Sequence, residues 1–293
     1  MMPRAPSKAG VRLDITGAVT LFLALLCLLG PVVAGRDLGW PRWLVWVQAS
    51  GAALCVLFWK LGRRLEGRGG LPLIALDLLT ERSVVIALLA VFIFTFANLA
   101  FYLVLTLYMQ LGLGFTPLQS GTVVLPLALT FAFVSRKAGP RAQRRGPSAI
   151  IEGCGVQVLG LAILATAVAF LDQLNPVLVA GLLIVFGAGQ AMAMAPLYGF
   201  ALSRIPAAHA GSGAGVLSTV QQIGNGSGAA MIGALYFTVQ SHYADRLAFL
   251  ASLTALDAAV AATAGLLCLL GKSHPVASPA ASSGTIAGEA RRT

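Results

Sequence analysis

Charge is what this sequence has least of. Of its 293 residues, 10% are charged and 58% hydrophobic, whereas a soluble domain carries about a quarter charged residues. That scarcity excludes a water-soluble globular fold, because too little polar surface exists to cover so much apolar area. Acids are scarcer still, with 10 Asp and Glu against 20 Lys and Arg, for a formal charge of +10. A basic balance also marks nucleic-acid-binding domains. Here, however, the positive residues sit in short stretches between apolar runs and do not line one face, so no nucleic-acid partner is expected. Cysteine is rare: Cys27, Cys55, Cys154 and Cys268 each lie inside an apolar run and none has CxxC spacing, the pattern of small buried hydrophobes. The three histidines, His209, His242 and His274, fall in loops or near helix ends. With no HExxH, GxSxG or Walker lysine, no catalytic residue, metal or cofactor is expected, and the chain does not read as an enzyme.

What is present is long apolar runs. A spanning helix needs about 20 apolar residues. Eight stretches meet that need: Leu13–Ala34, Trp43–Leu61, Ser83–Met109, Pro117–Ser135, Ala149–Leu171, Asn175–Leu202, Ser212–Gln240 and Leu247–Gly271. Breaker signals separate them, including Gly112-Leu-Gly114 before Pro117 and Asn175-Pro176. The pattern predicts an all-α polytopic membrane protein of about eight transmembrane helices, its first run acting as a retained signal anchor. Residues 1–12 read as a polar, basic N-terminal segment. The stretch 62–82 is the longest loop, and its Leu71–Leu79 run is apolar but too short to span, which suits an interfacial helix. The tail 272–293, rich in Ser, Ala, Pro and Gly, is expected to be disordered.

Orientation follows from where Lys and Arg fall. With the N-terminus placed in the cytoplasm, seventeen of the 20 Lys and Arg lie on the cytoplasmic side, and only Arg36, Arg42 and Arg246 lie outside. One missed helix would scramble that asymmetry, so the count also supports eight spans. Both termini are predicted to be cytoplasmic in a multi-pass protein of the cell membrane, with the lipid bilayer as its first partner.

Polar residues inside spans are costly and therefore informative. Asn98, Gln157, Gln190, Gln221, Gln222 and Asn225 are uncharged amides. Each either hydrogen-bonds a neighbouring helix or lines a polar path for a substrate. Gln221 and Gln222 are adjacent and point about 100° apart, so only one can face a given cavity squarely. Two acids lie within spans. Glu152, close to a basic loop, suits a partner for Arg144 or Arg145. Asp257 lies near the middle of the last helix with no basic neighbour in sequence. It is either a neutral acid bonded to a neighbouring helix or a proton-coupling site. The seventh stretch is dense in glycine. Gly211 and Gly215 are four apart, as are Gly224 and Gly228, which puts small residues on one helix face and allows close packing or sliding against a neighbour.

Four groups of residues then carry a resemblance. Leu13-Asp14-x-x-Gly17 opens the first helix and Gly35-Arg-Asp-Leu-Gly-Trp40 closes it. Tyr108-Met-Gln-Leu-Gly-Leu-Gly-Phe-Thr-Pro-Leu-Gln-Ser-Gly121 precedes Leu125-Pro126. Ala138-Gly139 is followed by Arg144-x-Gly146-Pro147. Last come Pro196, Ile205-Pro206, Ala210-Gly211 and Gly215-x-x-Ser-Thr-x-Gln-Gln-x-Gly224. Together they resemble the fourteen-helix drug:proton antiporter branch of the major facilitator superfamily, over nearly the whole chain up to Gly271. The resemblance begins at that branch's seventh helix. It implies two linker helices (13–61) and one six-helix C-terminal transporter bundle (83–271). It also assigns Gly139, Arg144 and Gly146 to the second copy of the family's cytoplasmic gating loop, with Gln143 where an acid often stands.

Two functions follow as expectations. One is proton-coupled efflux of small amphipathic, drug-like substrates, with the chain acting as a C-terminal half that pairs with a separate N-terminal half or a second copy of itself. Its substrate path would draw on Asn98, Gln157, Gln190, Gln221 and Gln222, and its proton coupling on Asp257. The alternative is a truncated or split-gene membrane protein without independent transport activity.

Overall fold

A computed structural model describes residues 15–34, 41–66, 81–171, 174–205 and 210–273. The expected N-terminal segment, the interfacial helix at 71–79 and nearly all of the tail lie outside the described residues. Within them the chain forms eight helices: α1 (Ile15–Ala34), α2 (Trp43–Glu66), α3 (Arg82–Leu107), α4 (Pro117–Arg145), α5 (Pro147–Phe170), α6 (Pro176–Ser203), α7 (Ala210–Gln240) and α8 (Asp245–Ser273). This is the all-α, multi-pass architecture that the apolar runs predict. Counting the π-helical turn Tyr108–Gly112 that prolongs α3, five helices (α3, α4, α5, α6 and α8) are long and apolar enough to cross a membrane. The apolar part of α2 is shorter, Trp43–Phe58.

Local chemistry sets the boundaries. Thr116 caps α4 with a reciprocal box: its hydroxyl accepts from Gln119 N (3.2 Å) while Gln119 Oε1 accepts from Thr116 N (2.9 Å), with Pro117 next in the first turn. Asn175 caps α6 by accepting from Leu178 N at 2.8 Å, again followed by proline. Past the π-helical turn, Gly114 at φ 67° lets the chain reverse, a conformation other residues rarely adopt.

One boundary differs from expectation. The basic stretch 136–148, read as a loop after Ser135, is helical except at Gly146, because α4 runs on to Arg145 and α5 begins at Pro147. Arg, Lys, Ala and Gln are good helix formers, and cations suit a helix C-terminus. Gly146, at φ 61°, makes the whole connection. In the same way α2 continues past Leu61 to Glu66.

Helices α3 to α8 form one bundle. α3 packs on α7 and α8, α5 on α6 and α8, and α4 on α6. α1 and α2 pair with each other and meet the bundle where α1 touches α7. The contacts fix relative directions. Gly224 and Gly228 of α7 lie against Phe92 and Phe96 of α3, so those two helices run parallel. Gly153 and Gly160 of α5 meet Ala193 and Phe186 of α6, so that pair is antiparallel. Arg82, the basic run of α4 and Arg204 consequently share one end of the bundle, and Arg246 sits at the other. Stacked rings tie the interior together: Phe101 on Phe186 at 3.9 Å between centroids, and Tyr108 on Phe249 at 4.3 Å.

Candidate functional site

Three of the amides found in the sequence meet at the centre of the bundle. Asn98 donates from Nδ2 to the carbonyl of Phe94, one turn back on α3, at 2.7 Å. That bond orients its Oδ1, which accepts from Gln157 Nε2 of α5 at 3.0 Å and from Gln190 Nε2 of α6 at 2.8 Å. The Tyr102 hydroxyl, one turn further along α3, donates to Gln190 Oε1 at 2.8 Å. Asn98, Gln157 and Gln190 are all buried. In an apolar interior such bonds are strong and an unmade one is costly. One acceptor stays open: Gln157 Oε1 is buried with no partner among the described residues.

Glycine makes this convergence possible. A Cβ on Gly189 would collide with the backbone of Gln157, one on Gly160 would lie 2.5 Å from Phe186 N, and one on Gly153 would lie 2.7 Å from Ala193 N. The α5 and α6 backbones therefore touch, bringing Gln157 and Gln190 within reach of a single carbonyl. Sequence reasoning missed these glycines and Tyr102. The signals were available, since Gly153 and Gly160 are seven apart on one helix face and Tyr102 stands four residues after Asn98.

The remaining candidates lie elsewhere. Gln221 is half-buried on α7 and interacts with Tyr198 of α6. Gln222 is exposed and Asn225 half-buried. Gly224 and Gly228 press on α3, where an added Cβ would overlap Thr95 and the Phe92 carbonyl in one case and the Phe96 carbonyl in the other. Gly215 faces open space, and Gly211 sits in the first turn of α7. Asp257 lies midway along α8, half-buried, and its Oδ1 is buried without a hydrogen-bond partner among the described residues.

At the basic end, Glu152 accepts from Arg145 at 2.8 Å and from Arg141 at 2.5 Å. Arg145 was one of its two expected partners; Arg141, one turn earlier on α4, takes the place of Arg144. Arg144 instead lines a pocket of about 440 Å³ with Arg136, Lys137, Pro140, Arg141 and Arg145. Gly139 lies within α4 with open space beside it. The residues assigned to a gating loop thus occupy a helix end and its one-residue joint. At the opposite end, Asp245 accepts from the Tyr236 hydroxyl at 3.1 Å and from Gln240 Nε2 at 2.5 Å. Among the described residues no group of three or more His, Cys, Asp or Glu is placed to hold a metal.

Comparison with known proteins decides what kind of bundle this is. The model of the Major Facilitator Superfamily matches residues 11–229. The chain belongs to the Major Facilitator Superfamily. Among its relatives within this superfamily of membrane transporters is a Streptomyces coelicolor protein named "Probable actinorhodin transporter", 30% identical over 81% of this chain and 41% of that protein. "Multidrug resistance protein Stp" of Mycobacterium tuberculosis is 29% identical over 76% of this chain and 41% of its own length. "Drug efflux pump JefA" of the same species is 30% identical over 76% and 43%. The major-facilitator chain described here therefore spans less than half the length of these curated relatives.

Proposed function

We propose that this chain is part of a proton-coupled exporter of amphipathic, drug-like compounds in the plasma membrane. The bundle α3–α8 works against a second bundle, supplied by a separate N-terminal half or by another copy of this chain, and α1 and α2 act as linkers. The observation that carries the reading is the match of about four-fifths of the chain to a transporter relative and three-quarters to relatives named for drug resistance and efflux. Transporters of this kind place substrate near the bilayer midplane between two bundles that rock against each other. Asn98, Gln157 and Gln190 lie mid-helix and offer one unused acceptor on Gln157; Gln221 and Gln222 present amides nearer the bundle surface. Asp257 is the proton carrier, because a carboxyl midway along an apolar helix, with its Oδ1 buried and without a hydrogen-bond partner among the described residues, is costly to keep charged. The basic end of α4, with Gly139, Arg144 and Gly146, is the cytoplasmic gate, and both chain termini lie on that side.

The test is transport. In proteoliposomes carrying a pH gradient, ethidium, a hydrophobic cation, is expected to move when two bundles are present, and Asp257→Asn is expected to uncouple that movement from the gradient. No movement in any pairing overturns the proposal. A second reading is a membrane protein without transport of its own; the chain matches only 41–43% of the length of these relatives. A frame encoding six further helices immediately upstream favours a split exporter; stable accumulation as a partnerless monomer favours the inert reading.

A further inference from the structure

α4 is the least buried of the five long apolar helices, with 17% of its span buried. Leu125, Leu129 and Phe133 are 57%, 58% and 63% exposed and recur every four residues, so they form one stripe down a single face. Arg136, Pro140 and Arg144 extend the same face past Phe133, with Lys137 at its edge, and the Arg136 guanidinium lies 5.5 Å from the centre of the Phe133 ring. The surface therefore changes from apolar to cationic within one turn, about 5.4 Å. Two cavities open there and share Arg136, Lys137 and Arg141. One is the 440 Å³ basic pocket. The other, about 460 Å³, reaches inward to Phe133, Val134, Ala138 and Met192 of α6. α4 itself carries five cations here, and Glu152 of α5 is engaged by Arg141 and Arg145 alone. Arg136, Lys137 and Arg144 have no acidic partner among the described residues.

We propose that this end of α4 binds an anionic phospholipid. The headgroup phosphate lies against Arg136, Lys137 and Arg144, and an acyl chain runs along Phe133, Leu129 and Leu125. Charge complementarity selects an anion, since basic pockets at the membrane-facing ends of helices suit phosphate headgroups. The apolar stripe selects a lipid over a free phosphate, because it continues directly from the cationic pocket in the direction a chain must take.

Native mass spectrometry of the purified full-length chain, delipidated and then offered phosphatidylglycerol or phosphatidylcholine, tests this. Phosphatidylglycerol is expected to be retained in preference, and millimolar inorganic phosphate is expected not to displace it. Removing charge by Arg136→Gln, Lys137→Gln and Arg144→Gln weakens retention roughly fivefold per charge, whereas Arg204→Gln, at the same end on α6, leaves it unchanged. Phe133→Ala lowers retention of both lipids while keeping the headgroup preference. If the triple variant does not fold, Arg144→Gln alone reads the same effect at about fivefold. Equal retention of the two lipids, displacement by inorganic phosphate, or an unchanged preference in the charge variants overturns the proposal. So does loss of the adduct when a second copy of the chain associates, since the stripe then belongs to a protein partner.

Discussion

The bundle closes two seams with glycine, and it does so in different ways. Between α5 and α6 the glycines are shared: Gly153 and Gly160 on one helix, Gly189 on the other, each against a backbone of the opposite chain direction. Between α3 and α7 all the glycine is on α7, and the neighbour, running parallel, contributes the carbonyls of Phe92 and Phe96. The first seam carries polar cargo, because its closeness brings Gln157 and Gln190 to Asn98. The second gathers no buried amides: its contacts are the Thr95 side chain and the Phe92 and Phe96 backbone. The difference is visible in composition. α5 and α6 spend few glycines and remain apolar enough to read as spans; α7 spends many, along with Ser, Gln and Asn, and does not.

Substitutions can break this comparison. The largest expected effect is Gly189→Ala, where the new methyl meets the α5 backbone and separates two amides from their acceptor. It should lower stability by about 3 kcal/mol, at the upper end of overpacking costs, read as thermal unfolding of the detergent-solubilised protein. Gly228→Ala should cost less, because the α3–α7 seam holds no polar cluster; a larger loss there would reverse the ranking of the seams. Next is Asn98→Ala, which leaves the amide groups of Gln157 and Gln190 without their common acceptor, at about 2 kcal/mol for buried polar groups so stranded. Asn98→Asp keeps an acceptor at that place and separates loss of hydrogen bonding from loss of volume. Gly215→Ala acts in the opposite sense. Among the described residues no atom of a neighbouring element lies within 4 Å of the added methyl, so better helix propensity should stabilise the protein by roughly 0.5–1 kcal/mol. The smallest effect is Gln222→Ala, exposed on α7, within about 0.5 kcal/mol of no change. In the proposed exporter this last variant still alters ethidium movement, which separates a path-lining role from a structural one.

Much of the fold was legible because the bilayer imposes its own grammar. Apolar length marked the helices, and proline after Thr116 and Asn175 marked where two of them begin. The basic stretch after Ser135 misled, since helix propensity continues where hydropathy stops and a boundary drawn on apolarity ends too soon. The site was legible in part. Asn98, Gln157 and Gln190 stood out because an amide in an apolar run is conspicuous. Their meeting was not readable, because it depends on the crossing of α5 and α6, which is fixed by contacts at Gly160 and Gly189 far apart in sequence. Gln221 and Gln222 look the same as the other three in sequence, yet they belong to a different neighbourhood, since only three-dimensional packing tells which face of α7 meets which helix.

Gly146 has a structural consequence. A single residue joins two long helices, and two arginines of one grip a carboxylate of the other just beyond the joint. The joint is one residue long, so α4 turns directly into α5 with no loop between them. The helix on the far side of that joint is the one whose backbone touches α6 at Gly153, Gly160 and Gly189. The basic helix end and the buried amide cluster are thus joined through one continuous piece of chain, with Gln157 on the helix that begins at the joint.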